Sequence, residues 1–206
     1  IAAQTGASVG YLTEAANTVG ARWVGAQPQG AGLHAGQMLA GGLKAAVLLN
    51  VEPADTAAGA AAAAGLNQAE MVVTLSPFKT NLDFSDVLLP IAPFSETSGS
   101  FVNAEGRVQS FHAVVKPLGE TRPAWKVLRV LGNLLGVSGF DFESSQEVLA
   151  AATARAPNLS NATQAAIRLD APAGEPVSAA IYQLDGLVRR APSLQLTADA
   201  REGVAA

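Results

Sequence analysis

Three short, nearly uninterrupted apolar runs constrain this chain more than any other feature. Ala45 to Val51 reads AAVLLNV, Met71 to Leu75 reads MVVTL, and Asp86 to Ile91 reads DVLLPI. Runs of this length without polar alternation are expected of parallel strands buried on both faces. Between the first two lies an alanine-rich stretch. Asp55 is placed to cap a helix starting near Thr56, with Gly65 and Asn67 stopping it. Strand, helix, strand, connection, strand is the alternation of an α/β fold, a partial parallel sheet flanked by helices.

The rest of the chain reads as helix and irregular structure. Val9, Leu12, Ala16 and Val19 fall at helical spacing, with Gly20 as a stop. Gln27 to Gly42 holds too many breakers for a long element. Pro123 opens a helix whose Trp125, Leu128, Leu131 and Leu135 share one face, ended by Gly136. Ser144 and Glu147 have capping-box spacing for a helix reaching about Ala156. Pro157 to Pro176 reads as a surface excursion. Ile181, Leu184, Leu187 and Val188 suggest a last helical stretch ending at Arg189 and Arg190, and Arg201 to Ala206 carries no packing signal. The expected organisation is an α/β domain over 1–115 and a helical, irregular extension over 116–206.

Composition narrows the function. Alanine takes 42 of 206 positions and aromatics 5%, so helices are expected to approach closely over a thinly aromatic core. The net charge of −4 gives no long-range attraction to phosphate backbones or anionic lipid, so no nucleic-acid partner is expected. The chain has no cysteine, which excludes disulfides, cysteine nucleophiles and cysteine-ligated clusters within these residues. No run approaches the about 18 apolar residues of a spanning helix, so no membrane insertion is expected. The chain opens at Ile1 without a basic or long apolar leader, and it reads as a piece of a longer protein.

Few residue groups point to chemistry. Gly30, Gly32 and Ala35 fit G-x-G-x-x-A, with Glu52 twenty residues after Gly32 where a ribose-binding acid would be sought. A fingerprint must follow a strand, however, and Pro28 and Gln29 interrupt the approach, so a plain glycine-rich loop is the simpler reading. His34 and His112 would need Glu96, Glu105 or Asp83 to complete a metal site, and no ligand spacing supports one. Ser98 and Ser100 flank Gly99 without the nucleophile-elbow pattern. Asn158-Leu159-Ser160 and Asn161-Ala162-Thr163 match the glycosylation pattern, which means little without secretion.

The segment DVLLPIAPFSETSGSFVNAEGRVQ, Asp86 to Gln109, is the most specific stretch. Glu96, Gly99, Asn103, Glu105, Gly106 and Arg107 cluster there beside Phe94, Phe101 and Val102. They read as an ordered loop at the carboxyl end of a parallel strand, where α/β sheets usually hold ligands, with Arg107 available to pair with Glu96 or Glu105.

The run ETSGSFVNAEGRVQ resembles the motif shared by molybdopterin-dependent oxidoreductases and the large iron–sulfur subunit of respiratory complex I. Within that superfamily it is most similar to the large iron–sulfur subunit of the bacterial NADH:quinone oxidoreductase (NADH dehydrogenase). EAANTVGA from Glu14, the stretch Met38-Leu39-Ala40 to Asn50-Val51-Glu52-Pro53, and Leu187-Val188-Arg189-Arg190-Ala191 to Leu196-Thr197-Ala198-Asp199-Ala200 agree with it. The resemblance implies a molybdopterin-oxidoreductase-like fold that scaffolds the peripheral arm and catalyses nothing by itself. It implies 2Fe–2S and 4Fe–4S clusters upstream, no cofactor in this segment, and partners among the other peripheral-arm subunits and upstream domains. It implies a cytoplasmic location, peripheral on the inner face of the plasma membrane. Glu96, Asn103, Glu105 and Arg107 would anchor the loop, each buried charge needing a partner, so losing Arg107 is expected to cost more than losing Arg201. The alternatives are the cofactor-binding part of a true molybdopterin enzyme, such as a formate dehydrogenase or nitrate reductase, and a free-standing nucleotide module on the Gly30 to Gly36 loop.

Overall fold

The computed structural model describes residues 2–7, 13, 15–56, 58–154, 156 and 182–203. The expectations resting on Val9 and Leu12, the 157–176 excursion, the glycosylation patterns, Ile181 and residues 204–206 lie outside the described residues. In chain order the elements are α1 (Ala2–Thr5), α2 (Thr18–Trp23), α3 (Ala35–Leu39), β1 (Ala45–Leu49), α4 (Ala60–Leu66), β2 (Met71–Ser76) and β3 (Val87–Pro90). They continue as β4 (Gly99–Val102), β5 (Val108–Phe111), α5 (Ala124–Leu134), α6 (Ser145–Ala154), α7 (Gly186–Arg189), α8 (Pro192–Gln195) and α9 (Ala198–Gly203). The described residues group into two units, one drawn from 30–90 with 182–203, the other from those up to 29 with 91–156.

In the first unit the three apolar runs form the expected parallel sheet, ordered β1-β2-β3, with Val47, Val73 and Val87 in register. One sheet face is covered: Ala46, Leu48 and Val72 pack with Leu39 of α3 and with Ala62 and Leu66 of α4. Gly65 explains the small residues of α4, since a Cβ there would sit 2.0 Å from the Leu39 carbonyl oxygen. Gly65 therefore does not stop the helix; it lies within it, buried, and lets α3 and α4 touch. The other sheet face departs from expectation. Val47, Leu49, Met71 and Val87 are exposed, Val47 at 53%, although Leu75 between them is fully buried.

Asp55 also departs from its expected role. Pro53–Asp55 forms a 3-10 turn, and the Asp55 carboxylate accepts the Glu52 amide at 2.7 Å, facing back toward β1. Helix α4 starts later, after Gly59 with its positive φ of 49°, and has no side-chain cap. Proline at the first position of the turn predisposes the chain to this tight geometry, which uses the carboxylate before α4 begins.

The link from β2 to β3 carries no helix and is held by polar side chains. Asp86 accepts the Val72 amide at 2.7 Å, Ser85 and Thr74 hydroxyls lie 2.6 Å apart, and Asn81, at φ 59°, donates to the Val51 carbonyl at 2.9 Å. Thr74 and Asn81 are buried, and these bonds are what allow it.

In the second unit the expected loop after β3 is a β-hairpin. β4 and β5 pair antiparallel from Gly99 opposite Phe111 to Val102 opposite Val108. Gly20, expected to end a helix, is buried inside α2. Helix α5 follows Pro123 as expected, and Gly136 past its end has φ 68°. Its predicted face is half-buried through Leu131, but Leu135 is 69% exposed. Ser144 caps α6 by accepting the Glu147 amide at 3.2 Å, while Glu147 reaches back to the Glu143 amide at 2.8 Å, one residue before the expected partner. α7 is shorter than the expected last helix, and α9 carries order into 201–203.

Candidate functional site

The hairpin accounts for most of the motif. Asn103 Oδ1 accepts the Glu105 and Arg107 amides at 3.1 and 2.9 Å, and its own backbone pairs with Gly106 and Arg107. Gly106 supplies the left-handed residue of this turn at φ 81°. Gly99 lies beneath the Phe111 ring, where a Cβ would come within 2.5 Å, and the Phe111 and Phe101 rings stack at 5.6 Å. Ser100 and Ser110, directly opposite, share a hydroxyl contact of 2.8 Å. From the other side Asn17 acts as a surrogate strand: Val102 N–H donates to its Oδ1 at 2.9 Å, and its Nδ2 donates to the Ser100 carbonyl at 3.4 Å.

The charged members of the motif do not gather. Glu96 accepts the Leu118 amide at 2.9 Å, tying down the segment before Arg122. Arg107 reaches only Glu105, at 4.0 Å, and the two side chains are 71% and 77% exposed. The expected buried pairing is thus corrected: the turn is held by an amide side chain and a glycine, and its charges are solvated. Beside Glu96 runs an open groove of about 480 Å³, lined by Ser98, Lys116, Arg122, Trp125 and Lys126 among others.

In the sheet unit, Glu52 at the carboxyl end of β1 is engaged by two arginines. Arg190 grips it bidentately, Nη1 to Oε1 at 2.9 Å and Nη2 to Oε2 at 3.2 Å, while its guanidinium lies 4.2 Å from the Phe78 ring centre. Arg189 Nη1 donates to Asp55 Oδ1 at 2.7 Å and to the Gln183 carbonyl, and its Nη2 stands 3.0 Å from Glu52 Oε2 as an ion pair without hydrogen-bond alignment. Burial would push the Glu52 carboxyl up, but the hydrogen bonds of Arg190 and the nearby charges of Arg190 and Arg189 outweigh it and hold it below the ordinary glutamate value. Burial would lower Arg189, yet Asp55 and Glu52 raise it. In the sequence Arg189 and Arg190 read as a helix end and as part of a stretch carrying the family resemblance; no spacing rule links residues 138 apart.

This arrangement bears on any bound dinucleotide. Gly30 and Gly32 lie in an irregular segment with no strand leading into it, and α3 opens with a reciprocal cap: Gln37 N–H donates to His34 Nδ1 at 3.3 Å, and Gln37 Oε1 accepts the His34 amide at 3.1 Å. Glu52, the candidate ribose acid, is fully occupied by arginines. His112 and Asp83 are exposed, and among the described residues no group of three or more His, Asp or Glu side chains could hold a metal. Among the described residues, the charged groups at the end of β1 are committed to one another, which leaves Glu52 without a free oxygen for a nucleotide ribose. No described helix is long and apolar enough to cross a membrane.

Comparison with known proteins bears on the same residues. The molybdopterin oxidoreductase family model matches residues 2–134. A Staphylococcus aureus (strain bovine RF122 / ET3-1) protein named as a formate dehydrogenase is 38% identical over 32% of this chain and 7% of its own length. A Bacillus subtilis (strain 168) protein named as an oxidoreductase, YjgC, is 36% identical over 36% of this chain and 8% of its own. A further protein named as a formate dehydrogenase, from Staphylococcus aureus (strain USA300), is 30% identical over 42% of this chain and 9% of its own. The chain spans less than a tenth of the length of these curated relatives.

Proposed function

Because the chain belongs to the molybdopterin oxidoreductase family, we propose that it is a structural segment of the large iron–sulfur subunit of a bacterial NADH:quinone oxidoreductase, respiratory complex I. In this reading it scaffolds the peripheral arm on the inner face of the plasma membrane. The 2Fe–2S and 4Fe–4S clusters that carry electrons from NADH toward quinone belong to other parts of the subunit. The observation that carries the proposal is the closed end of β1, where Glu52 is spent on Arg189 and Arg190 instead of facing a ligand. The hairpin supports it, since Asn103, Gly99 and Gly106 serve its own geometry.

The second reading is the cofactor-binding part of a true molybdopterin enzyme such as a formate dehydrogenase, and the names of the relatives favour it. The two differ in metal and in company. The native full-length polypeptide, tagged in its source cell and purified gently from solubilised membranes, is to be analysed for bound metals and co-purifying proteins by mass spectrometry. Iron together with NADH:quinone oxidoreductase subunits and no molybdenum is the expected result. Molybdenum with pterin and without those subunits overturns it in favour of the second reading.

A further inference from the structure

Residues 182–203 bind mostly to themselves. Asp185 caps α7 by accepting the Leu187 and Val188 amides at 2.8 and 3.0 Å. Gln195 of α8 donates to the Tyr182 and Val188 carbonyls at 3.0 and 2.8 Å and accepts from the Gln183 side chain at 2.8 Å. Ala200 N–H donates to the Thr197 hydroxyl at 3.3 Å, which opens α9.

The attachment of this segment to the sheet is narrow by comparison. Among the described residues, every hydrogen bond and ion pair joining 182–203 to 30–90 runs from Arg189 or Arg190 to Glu52 or Asp55. Arg190 adds its contact with the Phe78 ring. Gly186 brings the backbone onto the same corner, where a Cβ would stand 3.3 Å from Glu52 Oε1 and 3.6 Å from Phe78 Cε2. Apolar burial adds little: Ala200 is the one buried apolar residue of the segment among those described, and a methyl group contributes far less than a leucine or valine side chain. The attachment also carries a cost, since Arg189 Nη2 is buried without a hydrogen-bond partner among the described residues. A segment satisfied internally and fastened at one charged corner has a route to open that the sheet does not share.

We propose that residues 182–203 are a strap, latched over the carboxyl end of β1 by Arg189 and Arg190, which releases as one unit while β1 to β3 stay paired. Latched, it fills the place where parallel α/β sheets take ligands. Released, it bares two carboxylates, Glu52 and Asp55, beside the Phe78 ring. The latch is electrostatic, and the bidentate fork of Arg190 on Glu52 is its strongest part. The proposal does not depend on which oxidoreductase the chain serves.

Hydrogen exchange of the native full-length polypeptide, read by mass spectrometry, tests it. Helices of four to six residues do not persist alone in water, so release exposes the amides of α7, α8 and α9 together. These amides are expected to share one level of protection, at least about tenfold below that of β1 and β2. Raising salt from about 0.1 M to about 1 M, which shortens the screening length from about 10 Å to about 3 Å, should lower the strap's protection further. Arg190→Gln should lower it by about tenfold or more, and Arg190→Lys, which keeps the charge and loses the fork, by less. If Arg190→Gln does not fold, the wild-type protection and Arg190→Lys decide the matter. Strap protection equal to that of the strands, separate levels for α7, α8 and α9, or indifference to both salt and the change at Arg190 would each overturn the proposal.

Discussion

Asn103 and Arg107 stand four residues apart and differ in what they hold. The Asn103 side chain accepts two backbone amides across the hairpin turn, whereas the Arg107 guanidinium lies in solvent with a single distant carboxylate. Exposed pairs of that kind contribute little, and a lost turn bond contributes more. Asn103→Ala is expected to destabilise the chain by about 1 kcal/mol. Arg107→Ala should stay within about 0.5 kcal/mol of wild type and match Arg201→Ala. Denaturant midpoints of the three variants check this, and a clearly larger loss for Arg107 than for Asn103 would restore the buried-charge expectation.

Elements with a strong local signature are legible in the sequence. The three parallel strands stand out as apolar runs, and α5 by its proline start, its spacing and its terminal glycine. The β4/β5 hairpin is not legible as strands: Gly99, Ser100, Gln109 and Ser110 give no alternating pattern, because one edge is completed by a side chain, Asn17, from far upstream. The cap expected of Asp55 fails for a related reason, Pro53 having diverted the chain into a 3-10 turn first. Gly65 looks like a helix stop and is a contact point. Gly65→Ala, which would raise helix propensity in isolation, is expected to cost about 1–3 kcal/mol here, because the methyl collides with the Leu39 carbonyl. Thermal unfolding of this variant tests it, and a stabilised protein would show that α3 and α4 can separate freely.

At the scale of the whole molecule, ion pairs between distant residues govern the response to acid. Glu52 sits below its ordinary value of 4.5, so its stabilisation is complete above that range and is lost as pH falls through the depressed value. Arg189 is raised above the ordinary guanidinium value by Asp55 and Glu52, so it stays charged at every lower pH and its own titration takes no part in the acid limb. Glu52→Gln is therefore expected to destabilise by about 1–2 kcal/mol near neutral pH, a figure discounted for partial exposure, and to converge with wild type in acid as pH falls through the depressed carboxyl value. Melting curves across pH decide it; a gap independent of pH would mean that the carboxylate's charge is not what the arginines hold. These pairs are not legible in the sequence either, since nothing local relates Glu52 to Arg189 or Arg190.

The bond between Asn17 and Val102 has a consequence in time. The two residues are 85 apart, so on a ribosome adding roughly 5–20 residues per second Asn17 waits roughly 4–17 s for its partner to be made. The strands β1 to β3 are all synthesised within that interval. During synthesis the sheet can therefore assemble before Val102 exists to take up Asn17, and the hairpin engages that side chain only afterwards.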